Sequence, residues 1–129
     1  MKENNSKGKK IRKTVMVVDD HRYSLLALTR MLEQAGLNVI PVENGHDAIK
    51  IFDGDDLPDL VFMDIKMPVL DGYATMKEIR KIKPDIKVIA ETAYGLEGDK
   101  NLIMNAGFDG YLPKPITTQS LEGILKKFL

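Results

Sequence analysis

Five side chains capable of chemistry stand at the ends of apolar-rich segments in this 129-residue chain. Thr14-Val15-Met16-Val17-Val18 ends at Asp19-Asp20. Leu60-Val61-Phe62-Met63 ends at Asp64. Ile86 to Ala90 leads to Glu91-Thr92-Ala93, and Tyr111-Leu112 leads to Pro113-Lys114-Pro115. Three carboxylates brought within a few ångströms repel: two unit charges ~4 Å apart cost roughly 4 kcal/mol at an effective dielectric of about 20. One lysine cannot balance three acids. The remedies are protonation, which raises a pKa, or a bound cation. Hard oxygen ligands with room for water favour Mg²⁺. A cation, a lysine and a hydroxyl around a carboxylate make a site for a phosphoryl group, and a carboxylate can itself be the nucleophile, forming an aspartyl phosphate. The solitary acid, Asp64, is read as that nucleophile. Asp20 is read as a direct metal ligand and Asp19 as reaching the metal through water. Thr92 would donate to a phosphate oxygen and Lys114 would neutralise another.

These residues meet only if the apolar runs are parallel strands. Four apolar residues without a break, bounded by Pro58 and Pro68, describe a strand buried on both faces, which requires helices on both sides of a parallel sheet. The intervening segments supply them. Leu25, Leu28, Leu32 and Ala35 share a helical face, and Gly36 caps it. Asn44 caps a helix carrying Ala48, Ile49 and Phe52. Met76, Ile79 and Ile82 form a third helix, Leu102, Ile103 and Ala106 a fourth, and Leu121, Ile124, Leu125 and Phe128 a fifth that opens near Thr117. With the short strand Leu37–Val42, the count is five strands alternating with five helices. That is an α/β three-layer α/β/α sandwich around a parallel five-stranded sheet. All strand-to-helix junctions then lie on one rim, where ligands of such sheets bind. Pro113 cannot donate to a ladder, so the last strand belongs at an edge.

Bulk properties exclude several classes. The composition, 43% hydrophobic, supports one core, and net charge is zero. No apolar run approaches the ~20 residues of a membrane span. The absence of cysteine rules out thiol chemistry and fits a cytoplasmic setting. Residues 1–13 hold six of the 19 basic residues and one of the 19 acids, which leaves a net of −5 on residues 14–129. The basic segment is read as a disordered leader or linker, not a nucleic-acid arm, because Asn4, Asn5, Ser6 and Gly8 interrupt it and it has no aromatic.

Together, Val17-Val18-Asp19-Asp20, Met63-Asp64-Ile65-Lys66-Met67-Pro68 with Asp71-Gly72, Ile89-Ala90-Glu91-Thr92-Ala93 and Gly110-Tyr111-Leu112-Pro113-Lys114-Pro115 resemble the receiver (response regulator) domain of two-component signalling over about residues 14–129. The wording of the second motif and of Thr92-Ala93-Tyr94 looks like receivers of hybrid sensor histidine kinases. The resemblance implies a flavodoxin-like (βα)5 fold with strand order 2-1-3-4-5. It implies that Asp64 accepts a phosphoryl group from a phosphohistidine of a histidine kinase or histidine phosphotransfer protein. It implies Mg²⁺ held by Asp20, Asp64 and the Lys66 backbone carbonyl with Asp19 nearby, a Thr92/Tyr111 switch pair, and a Lys114-Pro115 bond that is usually cis. The protein would then be a phosphoacceptor that catalyses only its own phosphorylation and dephosphorylation. Its output face would be the fourth helix, fifth strand and fifth helix, its donor dock the first helix, and a phosphorylation-dependent homodimer is a further expectation.

Plainer readings stand beside these. Asp19-Asp20 alone could be helix-capping acids, Thr92 a cap, Lys114 a solvated charge and Tyr111 core packing. His21 is read as exposed at the start of the first helix, and Ser24 faces the rim as a capping hydroxyl or a kinetic modulator. Glu91 departs from the family pattern. Strand alternation turns it away from Thr92, which suggests a solvated strand end or a surface contact. Asp53, Asp55, Asp56 and Asp59 read as a solvated loop, lacking an EF-hand's spacing. Lys66 and Tyr94, each two residues after a key side chain, are expected to set the lifetime of an aspartyl phosphate. Two rivals remain at this level. A haloacid-dehalogenase-like phosphatase would need a second acid where Lys66 stands. A non-phosphorylated binding module would not need the intact acid, threonine and lysine set.

Overall fold

The computed structural model describes residues 12–93 and 97–129 of the chain. Five parallel strands, β1 (Thr14–Val18), β2 (Asn38–Val42), β3 (Leu60–Asp64), β4 (Val88–Thr92) and β5 (Gly110–Pro113), form one sheet in the order β2-β1-β3-β4-β5. Between and after them lie α1 (Arg22–Gln34), α2 (Gly45–Phe52), α3 (Gly72–Ile82), α4 (Glu97–Asn105) and α5 (Thr118–Phe128). This is the flavodoxin-like sandwich that the sequence implied. β3 is central and buried at all five positions, as its unbroken apolar run requires. Both prolines within strands, Pro41 in β2 and Pro113 in β5, lie on edge strands, where a missing N–H costs the ladder least.

Side chains alternate across the sheet and split the core in two. Met16, Val18, Val61, Met63 and Ala90 face α2, α3 and α4 through Phe52, Met76, Ile79 and Ile103. Val15, Val17, Leu60, Phe62 and Ile89 face α1 and α5 through Leu25, Leu28, Leu32 and Leu121. Local signals set the helix ends. Asn44 and Thr117 accept N–H bonds from Asp47 and Ser120 as caps, and Gly36 and Gly107 take positive φ after α1 and α4. Several inward assignments do not hold. Ala35 is exposed, Ile82 is 41% exposed and Leu102 is 61% exposed, while its neighbour Ile103 is buried. Adjacent helical residues lie about 100° apart, so the core could take only one of that pair. In α5 only Leu121 is buried; Ile124, Leu125 and Phe128 are half-buried.

The junction after β3 is unusually close. A Cβ on Gly72 would lie 2.4 Å from the Asp64 carbonyl oxygen and 2.7 Å from Ile65 Cα. Glycine therefore lets α3 start against the strand that carries Asp64, with Asp71 Oδ1 accepting the Ala74 N–H at 2.9 Å as its cap. At the opposite rim, Asp109 Oδ2 accepts from Arg80 at 2.5 Å and from the Val88 N–H at 2.8 Å, tying α3 to the starts of β4 and β5. Asp59 is likewise not a free loop acid: its carboxylate accepts the Thr14 N–H at 2.8 Å and fixes the start of β1.

Candidate functional site

Because β1, β3, β4 and β5 point the same way, Asp19, Asp20, Asp64, Thr92 and Lys114 reach one rim. One carboxylate oxygen from each of Asp19, Asp20 and Asp64 lies within 4.8 Å of the others. Their surroundings differ. Asp19 is fully buried and both its oxygens are engaged: Oδ1 accepts the His21 N–H at 2.8 Å and Oδ2 the Lys114 ammonium at 3.1 Å. Asp20 is exposed. Asp64 is 6% exposed, its Oδ1 accepts the Lys66 N–H at 3.2 Å, and its Oδ2 lies 3.9 Å from Lys114 Nζ.

The charges are out of balance. Burial pushes the Asp64 carboxyl up to about 7, against the pull of Lys114 and the Lys66 N–H, and the Asp19 charge adds to the rise. Burial works to lower the Lys114 pKa, yet the hydrogen bond to Asp19 and the charges of Asp19, Asp64 and Glu91 hold it above the usual lysine range. Lys114 is aimed by its backbone, whose N–H donates to the Thr92 carbonyl at 2.7 Å, and the Lys114-Pro115 bond is cis. A cavity of about 390 Å³ opens over the acids, with Asp20, Ser24, Asp64, Lys66, Ala93 and Lys114 in its wall. His21 also lines it and is exposed, as the sequence suggested.

Three carboxylates facing one ammonium leave net negative charge at the rim. Hard oxygen donors at this spacing, open to water on the Asp20 side, fit a small divalent cation. Thr92 is 1% exposed at the end of β4, and Tyr111 is half-buried against the α2–α4 side of the core with Lys100 Nζ 5.8 Å from its ring centroid. Tyr94 lies outside the described residues; Lys66 is exposed beside Asp64.

One residue stands where the sequence did not put it. The sequence places Glu91 at a solvated strand end or in a surface contact. It points away from Thr92 as alternation requires, but that face is covered by α1 and the β5–α5 turn, and Glu91 is 0% exposed. Neither of its carboxyl oxygens has a hydrogen-bond partner in the protein. Burial, then the Asp19 charge, push it up to about 8, with Lys114 opposing and Asp64 adding. A partial signal was present: Val88-Ile89-Ala90 is apolar without a break, as in a strand covered on both faces.

Comparison with known proteins agrees with this geometry. Residues 15–126 match the family model of the response regulator receiver domain. The sensor histidine kinase GacS of Pseudomonas protegens is 32% identical over 119 residues, 88% of this chain and 13% of that protein. The transcriptional regulatory protein CpxR of Klebsiella pneumoniae is 35% identical, over 89% of this chain and 48% of its own. The chain thus spans less than half the length of these relatives. Among solved structures, the receiver domain of a Pseudomonas aeruginosa sensor histidine kinase, with magnesium in its active-site cleft, superposes with a TM-score of 0.82 at 31% identity, covering 92% of this chain and 98% of that one. The response regulator TrrA of Thermotoga maritima, in complex with Mg²⁺ and BeF, superposes with a TM-score of 0.79 at 35% identity, covering 91% and 99%. A family match across the whole sheet and all five helices leaves one conclusion: the chain belongs to the response regulator receiver domain family, the phosphoacceptor modules of two-component signalling.

Proposed function

We propose that Asp64 is the phosphoacceptor, taking its phosphoryl group from a phosphohistidine of a histidine kinase or histidine phosphotransfer protein. The observation that carries this is the difference among the three acids. Asp19 is sealed and doubly bonded, Asp20 is exposed, and Asp64 alone is nearly buried yet opens into the cavity from the end of the central strand. A carboxylate oxygen of Asp64 attacks phosphorus, the phosphorus–nitrogen bond to the donor imidazole breaks, and the imidazole nitrogen keeps the electron pair. The Lys114 ammonium, 3.9 Å from Asp64 Oδ2, is placed to pair with a transferred phosphoryl oxygen.

Asp20, Asp64 and the Lys66 backbone carbonyl would hold Mg²⁺, with Asp19, whose oxygens are already engaged, reaching it through water. Bound there, Mg²⁺ supplies positive charge to the acids and the phosphoryl oxygens. Asp64 must be ionised to attack, and its pKa of about 7 makes that ionisation the step a cation assists.

Thr92 and Tyr111 act as the switch. Phosphorylation adds about −1.5 to −2 charge at the rim. The Thr92 hydroxyl turns to it, Tyr111 moves inward, and the face of α4, β5 and α5 changes its partner, a second copy of the chain included. Support comes from placement: Thr92 ends β4, Tyr111 lies on neighbouring β5, and Lys100 of α4 rests over its ring. Exposed Leu102 and Met104 give α4 an apolar outer surface. α1, beside the cavity, receives the donor. Residues 1–13 act as a leader or linker to the receiver unit at 14–129. The test is label transfer from a phosphohistidine protein. Label should appear on the wild type with Mg²⁺ and not on Asp64→Asn. Equal labelling of both would sink the assignment.

A further inference from the structure

Among the described side chains of α4 only Ile103 is buried; Lys100, Asn101, Leu102, Met104 and Asn105 are exposed. The helix is instead held at one end. Arg80, in the last turn of α3, turns its guanidinium to the chain at the rim opposite the phosphoacceptor. Nη1 donates to the carbonyl of Gly107, just past α4. Nη2 donates to Asp109 Oδ2 at 2.5 Å and to the Ile86 carbonyl at 3.2 Å, and Nε to the same carbonyl at 3.3 Å. Asp109 Oδ2 also accepts the Val88 N–H at 2.8 Å. Phe108, 3% exposed, meets Tyr73 of α3 edge-on with ring centroids 5.5 Å apart. The segment that joins α4 to β5 is thus fixed to α3 and to the start of β4.

We propose that Arg80 is the fulcrum on which α4 tilts, so that the switch moves the Lys100 end of the helix and leaves the Gly107 end in place. Parallel strands put the ends of β4 and β5, and the start of α4, at the phosphoacceptor rim; the end of α4 and the start of β5 lie at the other. Asp64 and Thr92 therefore act on the free end, and the guanidinium resists at the far one. Its rigid planar fork spans the Gly107 carbonyl, the Ile86 carbonyl and the Asp109 carboxylate together, which the point charge of a lysine on a flexible stem does not. α4 has nine residues, so displacement falls along it, to about half at Leu102 and near zero at Gly107. Lys100, whose Nζ lies 5.8 Å from the Tyr111 ring centroid, is on the moving part, so a tilt changes what covers Tyr111. The pin belongs to the free chain; its part in the switch rests on the phosphoacceptor reading.

The test is amide NMR of the ¹⁵N-labelled full chain, wild type and Arg80→Lys, with two readouts. Hydrogen exchange of the free chain reads the pin. The Ala106 and Gly107 amides, bonded to the Leu102 and Met104 carbonyls, should exchange about tenfold faster or more in Arg80→Lys. Ile124 and Leu125 of α5, on the other face of the sheet, should hold their rates within about twofold. Mg²⁺ with beryllium fluoride, a mimic of the phosphoryl group, reads the motion. In the wild type, shift changes should shrink from Lys100 to Gly107; in Arg80→Lys, Gly107 and Asp109 should shift about as much as Leu102. Equal acceleration in α4 and α5 would reduce Arg80 to a general stabiliser and overturn the proposal. So would uniform shifts from Lys100 to Asp109 in the wild type, or a gradient that Arg80→Lys retains. The wild-type gradient needs no variant, so it decides even if Arg80→Lys fails to fold. Beryllium fluoride that shifts nothing at Asp64 would strike the phosphoacceptor reading and with it the role in the switch, while the exchange rates still decide the pin.

Discussion

Replacing Glu91 by glutamine should flatten the dependence of stability on pH. In the unfolded chain this carboxyl ionises near its ordinary value of 4.5, whereas in the folded protein it is pushed up to about 8. Between those values the folded state holds a proton that the unfolded state has lost. The stabilisation is full below pH 4.5, declines as pH rises, and is gone above 8. The slope for one such group is about 1.4 kcal/mol per pH unit. From pH 5.5 to 7.5 Glu91 alone should therefore remove about 3 kcal/mol, a large part of the roughly 5–15 kcal/mol that holds a domain folded. Asp64 adds a decline of the same sign from 3.8 to about 7 in both proteins. Glutamine has nearly the same shape and cannot titrate, so it removes only the Glu91 part. The assay is urea unfolding of wild type and Glu91→Gln at pH 5.5 and 7.5 with a chelator present. The difference in unfolding free energy should widen by about 3 kcal/mol in favour of the variant at the higher pH. Parallel pH profiles would mean that Glu91 is ionised and solvated in the folded protein, and the burial reasoning would fail.

Three further perturbations probe the rim. Mg²⁺ should raise the melting temperature more at pH 7.5 than at pH 6, because Asp64 must lose its proton to bind the ion; a pH-independent gain would refute that linkage. Lys114→Ala leaves the fully buried Asp19 without its cation and should cost about 3 kcal/mol in chelator by denaturant unfolding, part of it recovered with Mg²⁺; no loss would mean Asp19 does not need the lysine. Gly72→Ala drives a Cβ into the Asp64 carbonyl and should cost more than about 3 kcal/mol and cut phosphorylation, read by unfolding and by mass; a neutral result would show that α3 can shift freely.

Much of this architecture could be read from residue patterns because the signals are local. An apolar run of strand length ending at a polar residue, as in β1 and β3, describes a covered parallel strand and its rim, and five strand segments in alternation with helices leave few topologies. The same reasoning placed Asp19, Asp20, Asp64 and Lys114 together before any distance was known. What it missed depends on which surface covers which face. Glu91 was assigned the right direction and the wrong medium, because alternation says which way a side chain points and not that α1 and the β5–α5 turn close over it. Leu102 and Ile103 compete for one helical face, and only the packing against β4 and β5 chose Ile103. Asp109 lies 29 residues from Arg80 and 21 from Val88, so its role as the tie at the far rim left no short-range mark. Tyr23 and Leu26, 82% and 47% exposed on α1, were equally silent. An outward apolar residue in a helix carries no sequence pattern that separates it from core.

The most direct test of the central claim is intact mass after incubation with a small-molecule phosphodonor and Mg²⁺, run beside Asp64→Asn. One added phosphoryl mass on the wild type, absent from the variant and abolished by a chelator, is the predicted result. A gain that survives in Asp64→Asn, or a wild type that binds Mg²⁺ yet gains no mass from either a small-molecule or a phosphohistidine donor, would contradict the assignment of Asp64 as the phosphoacceptor.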